Sequence, residues 1–271
     1  MPGPLASDLA GRVVLVTGAS TGIGAAAARA FAGVGCRVAI HYHASLNRAE
    51  EVAADVRFEG AEAFLVGGDL TTSQKAREVV EATVAHFGAV DVLVNNAGFA
   101  IFDAVADAKT SDLRAMMDTN YFGTVNCTQA VLPSMLQRGS GTIVNVSSIT
   151  GIMGFARMGG YCATKFAIIG FTESLRNEVM RRGVRVALVC PGTTETEFFV
   201  KAERDMMPAA SRLMPGSPPE RVARAICDAA EDGRYRRILP LLAAVYMRLK
   251  ELFPRFAHLL MRRTSSLMER R

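Results

Sequence analysis

The chain lacks most of the signals that mark secreted, metal-bound or membrane-spanning proteins. Its cysteines number five (Cys36, Cys127, Cys162, Cys190 and Cys227). They are an odd number, widely separated and without a Cys-x-x-Cys pair, which excludes a disulfide framework and gives no reason to expect a zinc site. No basic patch followed by an apolar run occurs between Met1 and Ala10, so no secretory leader is expected. The longest uninterrupted apolar stretch, Ile238 to Met247, falls well short of the roughly 20 residues that span a bilayer. These absences point to a cytoplasmic protein. A composition 50% hydrophobic and 21% charged excludes a disordered chain. A length of 271 residues suits one large α/β domain.

A uniform excess of one charge is also missing. The chain carries 31 Lys+Arg against 26 Asp+Glu, a net +5. Ten of the basic residues (Arg234, Arg236, Arg237, Arg248, Lys250, Arg255, Arg262, Arg263, Arg270 and Arg271) follow Gly233, against two acidic ones, Glu251 and Glu269. The last segment is therefore +8 and the preceding 232 residues are −3. A body without a phosphate-neutralising excess is not a nucleic-acid binder.

Apolar runs alternate with helical stretches. Val13 to Val16, Val38 to Ile40, Ala63 to Val66, Val90 to Val94, Ile143 to Val146 and Val184 to Val189 read as strands. Helices are expected over Ala25 to Phe31, Leu46 to Arg57, Lys75 to His86, Asp112 to Leu136 and Tyr161 to Met180. Continuous rather than alternating apolar strands suit burial on both faces. This order predicts βαβ units in a doubly wound parallel sheet, a Rossmann-like α/β fold. A helix over Val222 to Glu231 and a strand over Arg236 to Leu239 complete it, giving a catalytic domain over residues 1–240.

The run Thr17-Gly18-Ala19-Ser20-Thr21-Gly22-Ile23-Gly24 closes the first strand and opens the first helix. Glycines there let the backbone turn sharply and let a pyrophosphate approach the free N–H groups of a helix N-terminus. The spacing is G-x-x-x-G-x-G rather than G-x-G-x-x-G. Further along stand Asp69-Leu70, Asn95-Asn96-Ala97-Gly98, Asn120, Ser148, Tyr161-Cys162-Ala163-Thr164-Lys165 and Pro191-Gly192-Thr193-Thr194-Glu195-Thr196. In these motifs, over about residues 11 to 200, the sequence resembles the short-chain dehydrogenase/reductase family in its shorter, single-domain branch.

Lys165 follows Tyr161 by four residues, one helical turn on the same face. A free tyrosine, with a pKa near ~10, is a poor base at neutral pH, and a nearby ammonium favours the phenolate. Ser148 ends a buried strand, where its hydroxyl can donate to an oxygen gaining negative charge. Asn120 stands among Met116, Met117, Tyr121 and Phe122, a setting that ordinarily gives a structural hydrogen bond. The resemblance implies an NAD(P)-dependent oxidoreductase. In it Tyr161 is the general acid/base, Ser148 orients the substrate oxygen and Lys165 also holds the nicotinamide ribose. Asn120 would hold a water linking Lys165 to solvent. The resemblance further implies a cofactor site built from Gly18, Ser20, Thr21, Gly22, Ile23 and Gly24, with Asp69 and Leu70 at the adenine. Asn96, Ala97, Gly98, Tyr161, Lys165, Pro191, Gly192, Thr194 and Thr196 complete that site.

Between NAD and NADP, the residues after the second strand decide. An acidic side chain there binds the ribose 2′-OH and repels a 2′-phosphate. The chain reads Ile40-His41-Tyr42-His43-Ala44-Ser45-Leu46-Asn47-Arg48, with no acid before Glu50. His43, Ser45, Asn47 and Arg48 offer donors, so NADP is expected ahead of NAD. His41 and His43 share a strand face but have no carboxylate beside them, so no metal site is expected.

Residues 197–219, rich in Phe, Met and Pro, read as a lid, and their apolar side chains suit a hydrophobic carbonyl or alcohol substrate. Two other functions compete: a dinucleotide-binding sensor or scaffold without turnover, and a sugar-nucleotide epimerase or dehydratase. Retention of Ser148, Tyr161, Lys165 and Asn120 argues against the first, and the short segment after Thr196 against the second. Family members are commonly homodimers or homotetramers, through helices at about 110–135 and 161–180. Over residues 241–271, Leu242, Val245, Leu249, Leu252, Phe256 and Leu259 recur at three and four, with Arg248, Arg255 and Arg262 at seven. This is a basic amphipathic helical tail with a break at Pro254. Packing on its own domain or a neighbouring subunit is the ordinary fate of such a helix; peripheral contact with an anionic membrane is the alternative.

Overall fold

The computed structural model describes residues 8–198, 216–241, 243–245 and 252–253. Its elements run β1 (Val13–Val16), α1 (Gly22–Gly33), β2 (Arg37–Tyr42), α2 (Leu46–Phe58), β3 (Ala63–Gly67), α3 (Ser73–Phe87) and β4 (Val92–Asn95). They continue with α4 (Thr110–Met116), α5 (Gly123–Arg138), β5 (Gly141–Val146), α6 (Gly159–Val179), β6 (Val184–Pro191), α7 (Pro219–Asp232) and β7 (Arg236–Leu239). All seven strands pair in parallel in the order β3-β2-β1-β4-β5-β6-β7.

Why the strands are uniformly apolar follows from that sheet. Val14 and Val16 of β1 pack with α1, α2 and α7, whereas Val13 and Leu15 pack with α3, α5 and α6. Successive side chains of a strand point to opposite faces, so two helical layers demand apolar residues at both parities. Crossing from β3 at one edge back to β4 beside β1 reverses the winding. A crevice opens at that reversal, beyond the carboxyl ends of β1 and β4.

One expected element differs. The helix read over Asp112 to Leu136 is α4 and α5 joined by a π-helical turn, Met117–Phe122. At its centre Asn120 is fully buried and bonds to another segment. Thr124 donates its hydroxyl to the Asn120 carbonyl at 2.9 Å. Such widened turns place a backbone or side-chain group that an unbroken helix would misdirect.

Of the lid, 199–215 lie outside the described residues, including Val200, Met206, Met207, Leu213 and Met214. Either side of them, the Glu195 N–H donates to the Ser217 carbonyl at 3.1 Å and the Ser217 N–H to Thr193 at 2.9 Å. Most of the tail, with Leu242, Leu249, Phe256 and Leu259, is likewise outside.

Candidate active site

The crevice is a cleft of about 650 Å³. Its floor begins at the turn between β1 and α1. Gly18 has φ +62°, and a Cβ there would stand 2.8 Å from Ala97 Cα. A Cβ on Gly24 would reach 2.3 Å from the Gly18 carbonyl oxygen. The helix therefore meets the turn at a distance only glycine permits. Thr21 caps α1 without a side-chain hydrogen bond, leaving the first-turn N–H groups open to an anion. This cradle fits the pyrophosphate of a dinucleotide.

Neighbouring strands brace the turn. Asn96 Nδ2 donates to the Thr17 carbonyl at 2.9 Å and to Gly18 at 3.2 Å. Thr17 Oγ1 accepts from the Asn96 and Ala97 N–H groups at 2.9 and 3.1 Å and donates to the Val94 carbonyl at 3.1 Å. From β2, His41 Nδ1 accepts from the Gly18 N–H at 3.1 Å, and its Nε2 lies 3.0 Å from the Gly68 carbonyl. Burial pushes this imidazole down to about 4.

Ser148 follows β5 and its Oγ accepts from the Thr150 N–H at 3.1 Å, capping the short helical turn Ile149–Gly151. The same hydroxyl hydrogen-bonds Tyr161. Ser147 is turned to α6, donating to the Lys165 carbonyl at 2.9 Å. Lys165 Nζ donates to the Val146 carbonyl at 3.0 Å and lies 5.7 Å from the Tyr161 ring centroid. Ser148, Tyr161 and Lys165 thus share one wall of the cleft.

The expected lowering of the Tyr161 pKa by Lys165 is corrected by this geometry. Burial raises the phenol well above its usual value, and the Ser148 hydrogen bond offsets only part of that. Lys165 is pushed down to about 8, also by burial. In a dry wall each group tends toward its neutral form. Burial thus favours the protonated phenol.

Of the residues expected at the cofactor, Gly18, Ser20, Thr21, Gly22, Ile23, His43, Ser45, Asn96, Ala97, Gly98, Pro191, Gly192, Thr194 and Thr196 line the cleft. Four others do not. Gly24 acts from within the helix through the close approach just described. Asp69 Oδ1 accepts from the Thr71 N–H at 3.0 Å, which holds its carboxyl below the usual range and spends one oxygen on a local turn. Leu70 is buried in the core beneath α3. Asn120 holds the backbone of Phe99, accepting from its N–H and donating to its carbonyl, both at 2.9 Å. Asn120 Nδ2 also donates to Thr164 at 3.1 Å, so its amide is committed to protein groups.

Arg48 was expected to face a phosphate. Its Nη1 instead pairs with Glu197 at 2.5 Å, an ion pair from the start of α2 to the segment after β6. Of the other wall, the sequence reading found only the lid residue Phe198 and missed the rest. Phe99, Ile101, Phe155, Met158 and Phe198 make it apolar, with the Phe198 ring 5.6 Å and the Phe102 ring 6.4 Å from that of Tyr161. The one signal available was the apolar run Phe99-Ala100-Ile101-Phe102 directly after Gly98.

Comparison with known proteins agrees with this geometry. The model of the short chain dehydrogenase family matches residues 12–207. A 3-oxoacyl-[acyl-carrier-protein] reductase of Synechocystis sp. is 36% identical over 224 residues, spanning 83% of this chain and 91% of that protein. Among solved structures, a short chain dehydrogenase/reductase from Burkholderia phymatum in complex with NAD has a TM-score of 0.82. It is 24% identical, covering 90% of this chain and 94% of that one. An alcohol dehydrogenase from the archaeon Thermococcus sibiricus, complexed with 5-hydroxy-NADP, gives 0.74 at 27% identity, covering 84% and 95%. The glycine cradle, the Ser148, Tyr161 and Lys165 wall and these likenesses agree: the chain belongs to the short chain dehydrogenase family and is an NAD(P)-dependent oxidoreductase acting on CH–OH and C=O groups.

Proposed function

We propose that this protein reduces a hydrophobic ketone, with NADPH as hydride source and Tyr161 as proton donor. The observation that carries the reading is a buried phenol beside Ser148, facing an apolar wall across the cleft. A nicotinamide bound in the cleft would supply the hydride; the protein supplies position and proton. Ser148 and Tyr161 together present two O–H groups to the carbonyl oxygen as charge develops there. Tyr161 then gives its proton to that oxygen, and Lys165 holds the cofactor ribose from the same wall. Asn120 acts as a positioning residue, through the Phe99 backbone and the widened helical turn.

NADPH is preferred because the loop after β2 contributes His43 and Ser45 to the cleft and no carboxylate. Binding of NADPH should be tighter than that of NADH; equal or reversed dissociation constants would sink this preference. For the chemistry, Tyr161→Phe should cut kcat/KM on a panel of aryl and alkyl ketones by at least about 10²-fold, the usual worth of a positioned acid. Undiminished turnover in that variant would refute the mechanism, and a protein without turnover on any carbonyl would revive the sensor reading.

Assembly as a homodimer or homotetramer through the outer faces of α5 and α6 is part of the same proposal. No helix among the described residues is long and apolar enough to cross a membrane. The charge split, −3 over the body and +8 after it, supports an appendage that rests on a neighbouring subunit or an anionic surface. Co-sedimentation of the full chain with anionic vesicles, compared with a chain ending at Pro240, tests the surface contact. Equal sedimentation rejects it.

A further inference from the structure

Besides Asn96, the glycine turn is held by a second side chain from outside its own motif. His41, near the end of β2, is 2% exposed and lies under the cleft floor. Its Nδ1 accepts from the Gly18 N–H, so Nδ1 carries no proton. The remaining ring proton must then sit on Nε2, which faces the Gly68 carbonyl at 3.0 Å, an acceptor only. The His41 backbone carbonyl meanwhile accepts from the Ala19 N–H at 2.8 Å. One residue therefore fixes two consecutive units of the turn and ties them to the loop after β3.

We infer that His41 is a positioning residue for the dinucleotide. As the neutral Nε2–H tautomer it locks Gly18 in the left-handed conformation on which the pyrophosphate cradle depends. The geometry excludes both alternatives. The Nδ1–H tautomer would oppose two donors at Gly18 and two acceptors at Gly68. The imidazolium would oppose two donors at Gly18. An unpaired buried donor or acceptor is costly, so either state would force the turn to move. Two ionisable groups bear on the ring, His43 just past the end of β2 and Asp69 in the turn after β3, and they act in opposite directions. Burial is the larger influence and keeps the ring uncharged, with its value pushed down to about 4. Asn is the nearest uncharged replacement: its Oδ1 occupies the Nδ1 position and can accept from Gly18, although its amide falls short of Gly68. Leu removes both bonds at similar volume.

The inference rests on the reading of the cleft as the cofactor site, and the test separates the two. Dissociation constants for NADP⁺ are measured by calorimetry, independent of turnover, on wild type, His41→Asn and His41→Leu. His41→Leu is expected to bind at least about tenfold more weakly, with His41→Asn within about threefold of wild type. The loss should appear in KM for the cofactor more than in kcat. Long-range ¹H–¹⁵N spectra of the wild type should show a bare Nδ1 and a protonated Nε2, unchanged from pH 7.5 to pH 5. Leu binding like wild type, an Nδ1–H tautomer, or titration near the ordinary histidine value would each overturn the inference. If His41→Leu does not fold, the Asn variant and the wild-type spectrum still decide. Wild type that binds neither NADP⁺ nor NAD⁺ would refute the cleft reading itself, and the His41 inference with it.

Discussion

Tyr161 and Lys165 stand one helical turn apart, and burial drives both toward their uncharged forms. Lys165, pushed down to about 8, is the group whose charge changes in an accessible range. Below that value its ammonium can hold the ribose of a bound cofactor; above it, that charge is lost. The expected pH profile of kcat/KM therefore descends on the alkaline side with a midpoint near 8, and a profile flat to pH 10 would contradict the assignment. For stability the sign runs with pH: a lysine depressed below its ordinary value costs the fold most below about 8 and nothing above about 10.5. Ser148→Ala should lower kcat by about 10²-fold while leaving cofactor affinity unchanged, as loss of one oxyanion donor does. Ser148, Tyr161 and Lys165 were legible in the sequence because strand, turn and helix fix their spacing. His41 and Thr17 were not, because their partners lie 23 and 77 residues away and appear only when the sheet is assembled. The fate of Asp69 was equally hidden: its residue type suits an adenine amino group and a local turn alike, and its bond to Thr71 shows where one oxygen goes.

At the scale of elements, strands were read from unbroken apolar runs because each must satisfy two helical layers at once. Boundaries agree closely where a cap is local, as where Thr72 accepts from Lys75 at the start of α3. The π-helical turn was invisible for the opposite reason, since it is held by the Asn120 bonds to Phe99, 21 residues away. A second irregularity lies in the connection from Ser148 to α6. Arg157 has φ +62°, alone among the described non-glycine residues in the left-handed region. Its carbonyl accepts from the Asp103 N–H at 2.8 Å, beside the bridge from Asp103 to Met158. That pairing holds the connection against the Phe99 to Phe102 segment. A left-handed residue with a Cβ costs about 1–2 kcal/mol. Arg157→Gly removes that cost and returns about 0.5–1 kcal/mol through the freer unfolded chain. The backbone share is a gain of up to about 1 kcal/mol, and a higher denaturation midpoint at unchanged slope would mean that it outweighs the loss of the arginine side chain's own contact. A lower midpoint would mean that the arginine side chain contributes more than its backbone costs.

On the scale of the whole molecule, the outward surface of the α4 to α6 region is more apolar than a helix facing only water requires. Phe122, at the end of the π-helical turn, is 45% exposed, and Phe166, on α6 one residue past Lys165, is 46% exposed. Single exposed apolar side chains are ordinary, but Phe166 belongs to a helix whose inner face already serves the core through Leu175 and Val179, and Phe122 to a turn that buries Asn120 on its other side. Such outer faces are suited to a self-complementary contact, since a two-fold interface buries the same patch on both copies. A stable contact of this kind covers roughly 800 Å² per partner and is centred on aromatic side chains. Because α6 also carries Tyr161 and Lys165, a partner seated on it would stiffen the helix that holds the catalytic wall. Phe166→Glu places an unpaired charge at that centre and should convert the assembly to single chains by light scattering at micromolar concentration. Turnover should fall with assembly, and raising the protein concentration should recover part of it. If the variant scatters like wild type, the contact lies elsewhere. If it is monomeric and fully active, assembly and the site are independent, and the rigidity of α6 comes from the sheet alone.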